Sequence, residues 1–411
     1  EETDKVFLEI DIFLEELSEA LAYEKIKAEL VLGGSTAKGT WLSGDHDIDL
    51  FVRFPSSYKD DAISDLLESA LNRLPDSKNI LRVHGSRDYF QLKRGSIMFE
   101  LVPVKKITNP KNALNVTDMS SLHVAYVNEQ IGDEKKLRDD IRLTKQFCKA
   151  QRVYGAESYM NGFSGHVVDL LVLTYGSFRR LLQEATEWPE GMLVLDPAGK
   201  HADPLKHIDD SKLGPLVIVD PVQPGRNAAA ALSTEQYMRF KIAAQKFLKK
   251  PSLASFSHTL LTAERAKKKI ARHKGKSIVY LAEALDGSDD VAGTKLLKAH
   301  EYILKRVSDN GFTLANYDWE FDNKTRTAIA YIIVNEARLP TTFEREGPPL
   351  SAKKNATHFK EKHRKAKNKV VARDDRLYAT IKQKHRTLSS LAKEVLSEKY
   401  CVSRSSHLRL R

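Results

Sequence analysis

Between positions 29 and 54 the chain reads ELVLGGSTAKGTWLSGDHDIDLFVRF, and this stretch constrains the rest. Glu29 to Leu32 has the look of a short apolar strand, and Gly33, Gly34 and Ser35 break it with a flexible turn. Asp47 and Asp49 then alternate with Ile48 and Leu50, the pattern of a second strand. Side chains repeat every two residues along a strand, so both carboxylates point to one face. Two carboxylates side by side repel each other unless a cation sits between them, and hard oxygen ligands suit Mg²⁺. The Gly-Gly-Ser turn offers backbone N–H groups and a hydroxyl, which suit a phosphate. A solvated acidic hairpin would also contain Asp-x-Asp. The addition of a Gly-Ser turn upstream, with eleven residues between Ser35 and Asp47, favours chemistry over that plainer reading.

Charge indicates what such chemistry would act on. The formal net charge is +11 over 411 residues. From position 351 to 411 there are 18 Lys and Arg against 5 Asp and Glu, a local net of +13, so the remainder is close to neutral. A basic segment on a near-neutral body is an electrostatic footprint for a polyanion, and with a metal pair and a phosphate cradle it points to nucleic acid. No run approaches eighteen apolar residues, which predicts no membrane span. The acidic, amphipathic start EETDKVFLEIDIF does not read as a signal peptide. Cys148 and Cys401 lack metal-ligand spacing, and this argues for a reducing, cytoplasmic setting without a zinc site.

The length suggests two to four domains. Phe7 to Ala22 and Asp60 to Leu74 carry helical periodicity; Ile80 to His84, Tyr89 to Lys93 and Ser96 to Val104 read as strands. The last of these contains Glu100 within IMFELVPV. An isolated Glu in so apolar a strand is costly if buried without a partner. It is either a third metal-binding carboxylate or an edge residue facing water. Lys135 to Val153 reads as a helix, 187 to 212 as a loop or insertion, and Ser233 to Leu248 as a further helix. Beyond Leu260, helix and strands alternate as in a small α+β domain, with a break at Arg345 to Leu350 before the basic segment.

The string GGSTAKGTWLSGDHDIDLF resembles the polymerase-β-like nucleotidyltransferases, and among them the archaeal class I tRNA CCA-adding enzymes. Asn109-Pro110-Lys111-Asn112, the stretch VYGAESYMNGFSGHVVDLLVLTYGSF at 153 to 178, and DPVQPGRNAAAALS extend the likeness along the chain. The resemblance implies an α+β, multidomain protein. Its parts would be a nucleotidyltransferase palm with a mixed sheet (1–132), a helical neck (133–250), an α+β body (251–347) and a basic tail that binds tRNA (348–411). It implies template-free addition of C, C and A to tRNA 3′ ends from CTP and ATP, with release of pyrophosphate. Asp47, Asp49 and Glu100 would hold two Mg²⁺ ions. Ser35, Lys38, His123, Lys145 and Tyr154 would contact the nucleotide, mostly its phosphates, and Arg226 would read the base edge. Glu100 stands where the family commonly has Asp, and Lys38 where Arg is common; Lys keeps the charge but loses the planar fork. The tRNA would be held at acceptor stem and elbow, and a homodimer is compatible with the pattern. A poly(A)-polymerase-like transferase shares the carboxylates, and a non-catalytic tRNA-binding protein would share the basic segment.

Overall fold

The computed structural model describes residues 2–199 and 201–411, which divide into two compact units, 1–258 and 259–411.

In the first unit the amphipathic pattern near the start becomes α1 (Glu2–Tyr23), whose buried stripe is Val6, Ile10, Phe13, Leu17 and Leu21. It packs with α3 (Ile63–Leu71) on a five-stranded sheet. The strands are β1 (Glu29–Leu32), β2 (Asp47–Phe54), β3 (Ile80–Val83), β4 (Tyr89–Arg94) and β5 (Ile97–Lys105). Their order is β1-β2-β5-β4-β3, and only β2 and β5 run parallel. Ile48, Leu50, Val52 and Phe54 alternate along β2 into the core, where the Phe13 and Phe99 rings lie 4.2 Å apart. That alternation turns Asp47 and Asp49 to the opposite face.

The turn expected after β1 is in fact a short helix, α2 (Gly34–Lys38), closed by Gly39 in the left-handed region. Helices α4 (Ser120–Ile131), α5 (Lys135–Ala150), α6 (Gly165–Tyr175), α7 (Phe178–Glu187) and α8 (Thr234–Lys249) share a second core. Ser164, Ser177 and Ser233 cap α6, α7 and α8 by accepting a backbone N–H three residues on. The 187–212 stretch expected as loop contains one strand, β6 (Leu193–Leu195). It pairs in parallel with β7 (Leu216–Ile218). Leu193, Val194 and Leu195 are too few to show a period of their own.

The second unit holds a four-stranded antiparallel sheet and a separate three-stranded one. The larger sheet is built from β8 (Ser277–Glu283), β9 (Leu314–Asp322), β10 (Thr327–Val334) and β14 (His407–Leu410), in the order β14-β8-β10-β9. Helices α10 (Asp289–Asp309) and α12 (Leu388–Leu396) share a core with this sheet, and α9 (Ala263–Ile270) contributes to a separate cluster with β8 and β10. The smaller sheet, β11 (Thr342–Pro349), β13 (Arg376–Lys382) and β12 (Lys369–Arg373), carries α11 (Lys353–Lys365).

A basic tail separate from the body does not form. The expected boundary at 347/348 falls inside β11, which pairs with β13. Leu388, Leu391 and Val395 enter the body core, and β14 hydrogen-bonds to β8. Apolar spacing in 377–396 is the reason, because those residues bury more surface inside the body than they could alone. Among the described residues no helix is long and apolar enough to cross a membrane.

Candidate active site on the palm sheet

Parallel pairing of β2 with β5 puts Asp49 directly beside Glu100 in register. Asp47 precedes Asp49 by two residues on the same face and is more exposed to solvent. Gln91, the register partner of Glu100 on β4, donates its Nε2 to Glu100 Oε1 at 2.6 Å and fixes that carboxylate. Burial and the Glu100 charge push the Asp49 carboxyl up to about 6; Lys38 and Lys145 oppose this, and Asp47 adds to it. A carboxylate in that position gains from a cation that screens it. The crowding of Asp49 and Glu100, with Asp47 on the same face, offers hard oxygens of the kind a divalent metal takes.

Gly34 is at φ +53°, and a Cβ built there would lie 1.6 Å from Asp49 Oδ2. Gly33 donates its N–H to the Asp49 carbonyl at 2.8 Å. Only a glycine lets the α2 backbone come so close to the carboxylate. Ser35 follows in the first turn of α2, and Lys38 ends it.

Lys38 and Lys145 come together over Asp169, a residue with no role expected from the sequence. Asp169, on α6, is fully buried. Its Oδ2 accepts a hydrogen bond from Lys38 Nζ, and Oδ1 lies 3.4 Å from Lys145 Nζ. Lys145 Nζ also donates to Thr40 Oγ1 at 2.9 Å. Burial alone would raise the Asp169 carboxyl, but Lys38 and Lys145 outweigh it and hold it below the ordinary range. Burial pushes Lys145 down, with Asp169 resisting. Tyr154 packs nearby: its hydroxyl is 2.9 Å from where a Cβ on Gly165 would stand, and Lys149 lies over its ring. Burial drives its phenol upward.

Along α5, Arg138, Arg142, Lys145 and Lys149 share one face, spaced by four, three and four residues. They grip the loop ahead of β2. Arg138 Nε donates to the Lys38 carbonyl at 3.3 Å and Arg142 Nη1 to that of Gly39 at 2.5 Å. Lys149 pairs with Asp45.

His123 and Arg226 meet elsewhere, on Asp220. His123 Nε2 is 2.9 Å from Asp220 Oδ2, and Arg226 Nη1 donates to the same oxygen at 2.7 Å. The backbone N–H groups of Val222 and Gln223 donate to Oδ1. Although burial opposes it, hydrogen bonding from His123 and His166 holds the Asp220 carboxyl far below the usual range. His123, His166 and Asp220 each offer a ligand atom within 4.8 Å of the others, a spacing that also suits a metal ion. Three N–H donors, from Val222, Gln223 and Arg226, already occupy the carboxylate, which also lies against His123, so Asp220 gathers these groups at one point.

Asp169 did carry a sequence signal, a lone acid in the apolar run HVVDLLVLTY, the same anomaly that drew notice to Glu100. Asp220 opens the DPVQPGRNAAAALS stretch without a role of its own there, and Gln91 carries no signal, because their roles come from partners 97 and 9 residues away.

Three family models match the chain: a nucleotidyltransferase domain over residues 10–108, a tRNA nucleotidyltransferase second domain over 139–257, and a CCA-adding enzyme C-terminal domain over 276–407. The CCA-adding enzyme of Methanothermobacter thermautotrophicus is 30% identical over 98% of this chain and 86% of its own. That of Nanoarchaeum equitans is 31% identical over 86% and 83%, and that of Pyrobaculum neutrophilum 33% identical over 81% and 75%. A structure of Cid1 with its short product ApU is similar at a TM-score of 0.49 and 14% identity, over 62% of this chain and 94% of that one. Identity at this level, sustained from the Gly-Ser turn to the last strands, means that this chain belongs to the CCA-adding enzymes.

Proposed function

We propose that Asp47, Asp49 and Glu100 are the metal-binding carboxylates of a CCA-adding tRNA nucleotidyltransferase, and that they hold two Mg²⁺ ions. The observation that carries this reading is the register of Asp49 against Glu100, with Gly34 packed beneath the Asp49 carboxylate. Bound divalent cations supply acid activation of the attacking hydroxyl and charge compensation for the leaving group. In the transfer, the tRNA 3′-oxygen bonds to the α-phosphorus of CTP or ATP and gives up its proton. The bond from the α-phosphorus to the bridging oxygen breaks, and pyrophosphate departs.

The chain's own residues bind and orient. Ser35 and Lys38 on α2, with His123, Lys145 and Tyr154, take the triphosphate, where positive groups offset charge on the transferring and departing phosphates. Arg226, held in place by Asp220, reads the acceptors of cytosine and adenine. Residues 351–411, net +13, grip the tRNA backbone toward the elbow, away from the reacting end at the acceptor stem.

The test is direct. Purified protein is given tRNA ending at the discriminator base, with CTP and ATP labelled in turn. Addition of C, C and A followed by a stop supports the reading, and long A tails from ATP alone would replace it with a poly(A)-polymerase activity.

A further inference from the structure

Two lysines proposed above to bind phosphate are not free cations in this structure: a single buried acid holds both. Lys38 comes from α2, Lys145 from α5 and Asp169 from α6, so the contact joins three elements of the first unit. Asp169 is fully buried, and its lysine partners are 8% and 3% exposed. Three such charges leave water together only if they satisfy one another. Other partners are few. Lys145 also reaches Thr40, and Asp169 Oδ1 makes no hydrogen bond of good geometry, only the 3.4 Å ion pair. Geometry around Oδ1 is thus incomplete, while Oδ2 is tightly held by Lys38.

We propose that Asp169 is a positioning residue for nucleotide binding: by contacting both ammonium groups it holds Lys38 and Lys145 in place for the triphosphate. The inference rests on the assignment of those two lysines to the triphosphate. Its physical content is preorganisation. Lysine stems are long and flexible, and a cation already ordered loses less freedom when the phosphate arrives. One carboxylate shared by two lysines leaves the trio with a net charge of +1, so attraction for a polyphosphate survives. Asp169 itself touches neither phosphate nor metal in this arrangement.

The experiment compares Asp169→Asn and Asp169→Glu with Lys38→Ala and Lys145→Ala, in the full chain with tRNA and Mg²⁺. Apparent KM is measured separately for CTP, ATP and tRNA, alongside a thermal melt. For Asp169→Asn, we expect KM for CTP and for ATP to rise at least tenfold and KM for tRNA to change less than twofold. Should Asp169→Asn fail to fold with two uncompensated lysines, Asp169→Glu decides the matter. It keeps the charge but moves the carboxylate by one methylene, so positioning predicts a several-fold rise in KM for CTP with a native melt. Wild-type KM for CTP in a folded Asp169→Glu protein, or equal rises for CTP and tRNA in either variant, would overturn the proposal. If instead Lys38→Ala and Lys145→Ala leave KM for CTP unchanged, the assignment of the lysines has failed, and that result is separate from any seen at Asp169.

Discussion

Gly34 and Asp49 are packed so closely that a methyl group added to the first would overlap a carboxylate oxygen of the second, at 1.6 Å. The backbone of α2 also sits at φ +53° there, a region that side chains rarely adopt. Gly34→Ala must therefore move Asp49, α2 or both. A displacement of about 1 Å at a reacting centre can cost on the order of 100-fold in rate. We expect kcat for CTP incorporation to fall by that order while tRNA binding, measured by filter retention, stays unchanged. Near-normal turnover would mean that Asp49 is not held where the chemistry occurs.

Asp49 also gives a pH signature. Its carboxyl is pushed up to about 6 in the metal-free protein, against an ordinary value of 3.8. Between those values the folded chain keeps a proton that the unfolded chain has released. Stability of the metal-free protein due to this group is thus greatest below about pH 4 and is lost as pH rises toward 6. Asp49→Asn removes that slope, which thermal melts in EDTA across pH 4 to 7 would show. Divalent cations need the ionised form, so Mn²⁺ affinity should fall about tenfold for each pH unit below 6. A Mn²⁺ affinity that is flat from pH 5 to 7 would contradict the assignment.

Removal of Asp49 altogether should stop the chemical step and little else. Asp49→Ala is expected to abolish incorporation in Mg²⁺, with tRNA affinity within about twofold of wild type, since no metal ligand remains at that register position. Normal turnover would place the metal elsewhere.

Arg226 and Asp220 make a pair whose separation can be tested. Arg226 is exposed and its guanidinium is steered by the buried Asp220. Arg226→Ala should weaken discrimination between correct and incorrect nucleotides by roughly tenfold, the order expected from loss of base-edge hydrogen bonds. Its effect on KM for the triphosphate as a whole should be smaller. Asp220→Asn should reproduce part of this loss by freeing the guanidinium. Unchanged fidelity in both variants, read by sequencing the added ends, would reduce the pair to a structural contact.

On α11, Lys353, Lys354, Lys360, Lys362, Arg364 and Lys365 are exposed. They can be neutralised without touching the core of the second unit, unlike a deletion of 351–411. Each phosphate contact removed should flatten the slope of log affinity against log salt by about 0.7 to 0.9. Alanine at four of these positions is therefore expected to reduce the slope by up to about 3 and to raise KM for tRNA, with KM for CTP unaffected. An unaltered slope would move the tRNA grip to another face.

Much of this candidate site could be read directly from the chain because the placement of its carboxylates follows strand periodicity. Asp47 and Asp49 alternate with apolar residues, and Glu100 is conspicuous in its strand, so the carboxylates follow from local pattern. Partnership across long sequence separations could not be read in this way. Lys145 is expected from the sequence as a nucleotide contact, but its buried partner Asp169, 24 residues on and in α6, is not. His123 and Arg226 were anticipated as separate nucleotide contacts, and only the fold shows that one carboxylate serves both. In the second unit, charge suggested a detachable tail. Burial of Leu388, Leu391 and Val395 outweighed it, because apolar surface is removed from water while the basic side chains remain in it.

The pairing of β14 with β8 joins residues 407–410 to residues 280–283. The sheet of the second unit is therefore completed by the last of its four strands in chain order, laid beside the first. Closing so long a loop is slow compared with forming a helix or hairpin. During synthesis β8 waits with one edge unpaired, and an unpaired edge is a template for pairing with another chain. Chains cut short before His407 would keep that edge permanently, and their fate should be self-association rather than simple loss of activity.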